Sequence, residues 1–397
     1  MPSDEGATSR FDAIVLDGSQ RSALAATRSL GRHGARVIVA DKSVPSLAGC
    51  SKYCSDSFRY PNPSVEPSAF IASLASLGRF AEPPVMIPCT DESLPAILSA
   101  GTALQHFATC LPGADAYRRL TDKWALYSLA KQCAVPVPNT APLAPGVRSI
   151  ADITGDSALV AVKPRMSVLQ LRGRGTKLPV VLVARTALHS LLANGTFPND
   201  AGLLIQDVVL GSGVGVSVVC DHGRVIAWFA HRRLREQPPS GGVSVYCESI
   251  ALPQELQRYC AALIEATTWH GPAMFEFKVD EAGKAYLIEV NARLWGSVQL
   301  AIDCGIDVPH LMYRLARGEP VASSAGYAVG RRLRWLIGDL SHLYMVLWGK
   351  NVGAATASRL RTIFDVLSTG GRQTFVEDWR YADFSPLWHR VAAELRH

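Results

Sequence analysis

The sequence predicts an α/β protein. An N-terminal parallel-sheet domain over residues 1–118 precedes a two-lobed α+β domain over 119–324, with lobes 119–200 and 201–324, and a mostly helical C-terminal extension over 325–397. Three observations carry that expectation. Near the start, a strand (Ala13–Asp17), a Gly-Ser turn, an amphipathic helix to about His33 and a second strand (Ala35–Asp41) alternate as in a parallel sheet covered on both faces. From 158 to 320 the strands take hairpin-like spacing with interspersed helices, which is α+β in character. Beyond about 325 the chain reads as helix, with Arg331-Arg332-Leu333-Arg334-Trp335 and several further aromatics.

The turn after the first strand, Asp17-Gly18-Ser19-Gln20-Arg21-Ser22, lacks the three glycines that let a backbone approach a pyrophosphate, which disfavours a nicotinamide cofactor. A third strand, Val85–Cys89, runs into Thr90-Asp91-Glu92-Ser93; Asp91 either caps the next helix or faces a cleft at the strand's carboxyl end. One helix from about Tyr117 to Gln132 leads to Pro136-Val137-Pro138-Asn139-Thr140-Ala141-Pro142, an extended connector suited to joining lobes. Strands follow at Leu159–Lys163, Val180–Val183, Gly202–Gln206, Val214–Cys220, Val225–His231, Met274–Val279 and Ala285–Val290. Helices are expected over about Pro253–Thr268 and Val298–Ala316.

Composition narrows the function. At 397 residues and 48% hydrophobic, the chain can bury a sizeable core. Forty Lys and Arg against 34 Asp and Glu give net +6, spread without a basic cluster, which argues against nucleic acid. A phosphate-bearing small ligand suits this balance, as does an ordinary surface charge. No apolar run reaches the roughly 18–20 residues that cross a bilayer, and the start lacks the basic and apolar regions of a secretory signal, so no membrane partner and a cytoplasmic location are expected. The nine cysteines have no C-x-x-C spacing and read as reduced, mostly buried thiols. None of the ten histidines falls in a recognisable triad or metal-ligand spacing.

The stretch Met274–Arg293 carries the chemistry. Strict alternation around Asp280-Glu281-Ala282-Gly283 predicts an antiparallel hairpin with a four-residue loop, Val279 pairing with Lys284 and Glu276 opposite Leu287. In that register Phe275, Phe277, Val279, Tyr286, Ile288 and Val290 share the core face, while Glu276, Glu289 and Asn291 share the other. The two carboxylates then occupy diagonal positions about 7–8 Å apart at the backbone. Uncompensated carboxylates repel, so such a cluster calls for a cation, and all-oxygen donors suit Mg²⁺; a solvated polar face is the alternative. Arg293, on the same parity, adds an anion-binding fork.

With these residues in view, the sequence resembles the ATP-grasp superfamily of carboxylate-amine ligases, relatives of carbamoyl-phosphate synthetase large chain and biotin carboxylase. The likeness is carried by Phe275-Glu276-Phe277 and Ile288-Glu289-Val290-Asn291-Ala292-Arg293, preceded in family order by Thr121-Asp122-Lys123-Trp124, Val162-Lys163-Pro164, Leu204–Val209 and His231–Glu236. It covers roughly residues 11 to 320 and implies that the N-terminal domain is the Rossmann-like domain preceding the ATP-grasp lobes. ATP and Mg²⁺ are the implied cofactors, with Mn²⁺ an admissible substitute. Glu276, Glu289 and Asn291 are implied as metal ligands, and Lys123 and Lys163 as the phosphate lysines. Gln206, Asp207, Val208 and Val209 are implied as the adenine hinge. Gly173 and Gly175, within Gln170–Lys177, match the phosphate-covering loop, although its glycines are sparser than in many relatives. Arg293 and Arg233, with Arg232 close behind, are implied to hold the acyl phosphate or substrate carboxylate, Arg233 sharing a face with His231 and Arg235 by alternation. Gly211–Ser217 carries no acidic residue where relatives often hold the ribose.

The resemblance implies an ADP-forming ligase. ATP phosphorylates a small-molecule carboxylate to an acyl phosphate, and an amine attacks to form an amide or peptide bond. Small carboxylate and amine substrates are the expected partners, and a homodimer is common for such folds. The alternatives are a non-catalytic ATP-binding module and a bicarbonate-activating carboxylase or carbamoyl-phosphate-like enzyme.

Overall fold

A computed structural model describes residues 11–77, 82–143, 157–171, 174–193, 202–239, 241–348, 363–366 and 373–394. The chain opens with β1 (Ala13–Val15), α1 (Arg21–Arg32), β2 (Val37–Asp41), β3 (Cys54–Arg59), α2 (Pro67–Ala75), β4 (Val85–Ile87) and α3 (Ser93–Leu98). The four strands make the expected parallel sheet, in the order β3-β2-β1-β4. β1, β2 and β4 are buried along their whole length, as parallel strands covered on both faces must be. β1 stops short of Asp17, which takes a left-handed φ of 60°. The Asp17 carboxylate turns inward and accepts from the Tyr60 hydroxyl (2.9 Å), the Cys89 amide (2.9 Å) and the Ser93 hydroxyl (2.6 Å). That knot joins the ends of β1 and β4, and Gly18 beside it is closely packed, since a Cβ there would sit 2.4 Å from Ser46 Oγ and 2.6 Å from Val39 Cγ1 and force those side chains to shift.

Two helices, α4 (Ala114–Thr121) and α5 (Lys123–Gln132), stand where one was expected. The break is at Asp122, whose backbone is extended and whose carboxylate caps α5 by accepting the amides of Trp124 (3.0 Å) and Ala125 (3.3 Å). β5 (Thr140–Pro142), β6 (Leu159–Pro164), β7 (Leu169–Leu171), β8 (Arg174–Thr176), β9 (Val181–Ala184), α6 (Leu188–Ala193) and β10 (Leu203–Asp207) follow. They give an antiparallel sheet β5-β10-β6-β9 and a separate ribbon β7-β8.

The remainder builds one seven-stranded sheet, in the order β15-β14-β11-β12-β13-β16-β17. Its elements are β11 (Ser212–Asp221), β12 (Arg224–Gln237), β13 (Val243–Ser249), α7 (Gln254–Thr267), β14 (Gly271–Val279), β15 (Ala285–Asn291), α8 (Val298–Asp303), α9 (Val308–Ala316), β16 (Arg332–Arg334), α10 (Leu336–Trp348), β17 (Thr374–Val376) and α11 (Ser385–Glu394). One helix was expected over 298–316; Gly305 at φ 101° divides it, and Asp307 starts α9 by accepting the His310 amide. The C-terminal extension adds two strands to this sheet as well as helices. Phe275, Phe277 and Leu287 pack with Leu120, Leu126, Leu263 and Ile264, so β14 and β15 are seated on α4, α5 and α7. Six of the nine free cysteines are buried. Among the described residues no helix is long and apolar enough to cross a membrane.

The segment around Asp383 is clasped to the first helix. Arg28 and Asp383 have side chains only 1% exposed and pair at 2.9 Å, while Arg28 Nη2 donates to the Asp383 carbonyl and Nη1 to the Glu377 carbonyl. Asp383 also accepts from Ser51 Oγ (2.7 Å) and the Lys52 amide (2.9 Å). Removing one partner of such a pair leaves an uncompensated buried charge. Arg28→Ala is therefore expected to lower the unfolding free energy by about 3–5 kcal/mol in urea denaturation, with the Arg28→Ala, Asp383→Ala double variant losing less than the sum of the singles.

Candidate active site

The hairpin β14–β15 forms, one residue out of the expected register. Val279 faces Ala285 and Phe277 faces Leu287; Ile288 is then inserted as a bulge, after which Glu276 faces Glu289 and Met274 faces Asn291. Ala285 and Leu287 are therefore buried below the bulge, in place of Tyr286 and Ile288, while Val290 keeps the core side above it. The turn holds one residue more than the four expected, which shifts the register by one, and the inserted Ile288, which alternation read straight through cannot see, shifts it by one more. Together they set directly opposite the carboxylates that the expected register placed diagonally.

Ionic partners gather around that pair. Asn291 Nδ2 donates to Glu276 Oε1 at 2.8 Å, and Arg233 pairs with Glu276 Oε2. Lys123 Nζ lies 3.5 Å from Glu289 Oε2. Arg293 clasps Asp91 Oδ2 through Nε (3.1 Å) and Nη2 (2.9 Å), and Nη2 also reaches Asn291 Oδ1 at 3.1 Å. Burial pushes the Glu276 carboxyl above the ordinary range against the pull of Arg233. Burial acts the same way on Glu289, but Lys123, Lys163, Arg233 and Arg293 outweigh it and hold that carboxyl below the ordinary range. Two carboxylates and an amide oxygen, without sulfur or imidazole, are a hard donor set that fits Mg²⁺ or Mn²⁺.

Arg233 reaches Glu276 by crossing a strand. β11 lies between β12 and β14, with Gly215 pairing to His231 on one side and Glu276 on the other. A Cβ on Gly213 would come 3.1 Å from Arg233 Cδ, and one on Gly215 would come 2.4 Å from His231 Cε1. Gly213 thus leaves room for the Arg233 side chain, and Gly215 for the His231 ring. Arg232 goes elsewhere: half-exposed, it pairs with Glu248 (2.7 Å), which also holds Arg332, and it is not among the groups gathered around Glu276. Alternation also fails for Arg235. A register shift between Arg233 and Arg235 sends Arg235 to Asp339 (2.6 Å) and brings Glu236 beside Arg233 at 2.8 Å. His231, buried beneath Arg233, is pushed down to about 3 by burial and that charge, and stays neutral.

The two lysines meet below the carboxylates. Lys123 is the first residue of α5, and its amide donates to the Arg165 carbonyl (3.0 Å) just past β6, where Lys163 sits. Lys163 Nζ donates to the Tyr127 hydroxyl and to Gln206 Oε1, both at 2.7 Å, and Gln206 Nε2 donates to Thr140 Oγ1 at 2.8 Å. The Gln206 side chain is thus committed to orienting Lys163. Tyr127 in turn donates to the carbonyl of the bulged Ile288 at 2.6 Å. The Asp207 amide donates to the Asn139 carbonyl and its carboxylate pairs with Arg185; Val208 donates to the Leu159 carbonyl, and half-buried Val209 follows at the passage between sheets. Gly173 lies outside the described residues. Gly175 donates to the Ser64 carbonyl at 2.5 Å and Lys177 pairs with Glu92 at 2.6 Å, so the β7–β8 ribbon rests on the N-terminal part.

Three participants escaped the sequence reading or were left open by it. Tyr127 stands one helical turn after Lys123, a spacing that places both on one face. Asp91 faces the cleft and holds Arg293, the second of the two roles weighed for it, while Thr90 Oγ1 receives the amides of Glu92 and Ser93. Glu236 was hidden by the irregular pairing of β12.

A parallel-sheet unit, an antiparallel lobe and a large mixed sheet, with lysines and carboxylates between them, define an ATP-grasp fold. The family described as ATP-grasp in the biosynthetic pathway with Ter operon matches residues 199–336. Solved structures agree in fold. Biotin carboxylase from Campylobacter jejuni, in a complex named for β,γ-ATP, is 19% identical over 81% of this chain and 74% of its own, with a TM-score of 0.62. L-amino acid ligase from Bacillus licheniformis is 19% identical over 82% and 79%, TM-score 0.60. N5-carboxyaminoimidazole synthetase from Staphylococcus aureus is 14% identical over 81% of each chain, TM-score 0.60. No curated protein matches the sequence.

Burial, reinforced by Lys123, pushes the Lys163 amine from 10.5 down to about 7. Between those values the unfolded chain binds a proton that the folded chain does not, so this residue makes the fold more stable as pH rises from 7 toward 10.5. Urea denaturation at pH 7, 8 and 9 is expected to show that upward slope reduced in Lys163→Met.

Proposed function

We propose that this protein is an ATP-dependent ligase that activates a small-molecule carboxylate and joins it to an amine, releasing ADP and phosphate. The observation that carries the reading is the convergence of Lys123, Lys163, Glu276, Glu289, Asn291, Arg233 and Arg293. The names of two proteins of similar fold, a ligase and a carboxylase crystallised with an ATP species, support it.

In this reading Lys123 and Lys163 hold the nucleotide phosphates, and Asp207, Val208 and Val209 present backbone groups to the adenine, with Gln206 orienting Lys163. Glu276, Glu289 and Asn291 hold Mg²⁺, which supplies neutralisation of the terminal phosphate charge. Arg233 then has to exchange its pairing with Glu276 for the incoming anion, while Glu236 retains it. A carboxylate oxygen of the substrate attacks the γ-phosphorus, the bond to the β–γ bridging oxygen breaks, and ADP leaves. The amine attacks the carbonyl carbon of the acyl phosphate, the carbon–oxygen bond breaks, and phosphate departs as the amine loses a proton. Arg293, kept in place by Asp91, and Arg233 supply fixed donors where charge develops. The chain's contribution is positioning and electrostatics, with no covalent enzyme intermediate.

ADP release measured over pairs of amino acids, with mass spectrometry of the products, tests the proposal. Turnover is expected to need Mg²⁺ and both cosubstrates, and Glu289→Gln to lower kcat by about 10²-fold or more. ADP released with bicarbonate and no amine points to a carboxylase. Tight ATP binding without ADP release across the panel points to a non-catalytic module.

A further inference from the structure

The far end of the same sheet gathers a second set of donors. β11 ends at Asp221, His222 and Gly223 make the turn into β12, and His270 immediately precedes β14, whose Gly271 pairs with Cys220. Strand register therefore fixes side chains 48 residues apart, which is why local spacing in the sequence gave no metal pattern for the histidines. His222 Nδ1 lies 3.3 Å from His270 Nδ1, and these nitrogens lie 3.8 Å and 3.7 Å from Asp221 Oδ1. A tetrahedral ion with bonds of about 2.0–2.1 Å requires donors roughly 3.3–3.4 Å apart. The three atoms already stand close to one face of that tetrahedron.

The surroundings suit ligation. Arg224 Nη2 holds Asp221 Oδ2 at 3.2 Å, leaving Oδ1 toward the imidazoles, the outer contact that orients a ligating carboxylate. The His222 amide donates to His270 Nδ1 at 3.3 Å, a contact that the single lone pair of that nitrogen gives up when it takes an ion. Gly215, which faces Glu276, is six residues from Asp221 along β11, or roughly 20 Å at about 3.3 Å per residue. This cluster is therefore remote from the oxygen-lined site.

We infer that Asp221, His222 and His270 form a binding site for a divalent transition ion of the Zn²⁺ class. Two imidazoles and one carboxylate select such ions over Mg²⁺. The ion ties the β11–β12 turn to the entry of β14, with its fourth position open to water. Chelator-treated full-length protein, titrated with Zn²⁺ against a chromogenic competitor in millimolar Mg²⁺, is expected to bind one equivalent in the micromolar range and to gain thermal stability. Co²⁺ is expected to give the visible absorption of a four-coordinate site. His222→Ala and His270→Ala should each weaken binding by at least about tenfold and abolish the Co²⁺ spectrum. Because His222 is exposed, His222→Ala is expected to fold as judged by circular dichroism and carries the test alone if His270→Ala does not. Unchanged binding in His222→Ala, which would assign the ion to the cysteines, or no saturable micromolar binding, overturns the inference. Either result leaves the ligase reading untouched, since that rests on ADP release.

Discussion

Two acidic side chains set directly across a strand pair are the constraint around which the cleft is arranged. Glu276 and Glu289 face each other because Ile288 is inserted into β15, and neither repulsion nor burial lets both stand alone. Arg233, Lys123 and, through Asn291, Arg293 answer that charge from β12, α5 and the end of β15. The bulge also exposes the Ile288 carbonyl to Tyr127, the residue that receives Lys163. One inserted residue thus aligns both the carboxylates and a lysine.

Backbone irregularity does similar work in β12. The shift after Arg233 separates it from Arg235, giving one guanidinium to the cleft and the other to Asp339. Glycine at 213 of the intervening strand lets the first cross without obstruction, and glycine at 215 makes room for His231. Bulges and missing side chains, more than the regular strands, decide which charges meet. This is the usual place for such features in a sheet, where they re-aim a side chain.

The regular parts were legible in the sequence for a simple reason: buried parallel strands and alternating hairpins leave a hydrophobic period. The parallel sheet, the hairpin and the shared face of Glu276, Glu289 and Asn291 follow from that period. What the period cannot report is an inserted residue, so the hairpin register, the face of Arg235 and the role of Glu236 were misread or unseen. Asp122 broke a helix that the apolar spacing ran through, because its carboxylate caps the amides of Trp124 and Ala125 and a hydrophobic period does not report a cap. The pairing of Asp221 with His270 depends on strand order, which no local window contains.

The clasp between Arg28 and Asp383 has a consequence for how the protein is made. A ribosome emits the helix bearing Arg28 long before the segment bearing Asp383, and during that interval the guanidinium and the Ser51–Lys52 turn must be served by water. The nascent N-terminal unit is accordingly left incomplete until the segment bearing Asp383, 355 residues beyond Arg28, has emerged, so that its closure lags far behind its own synthesis.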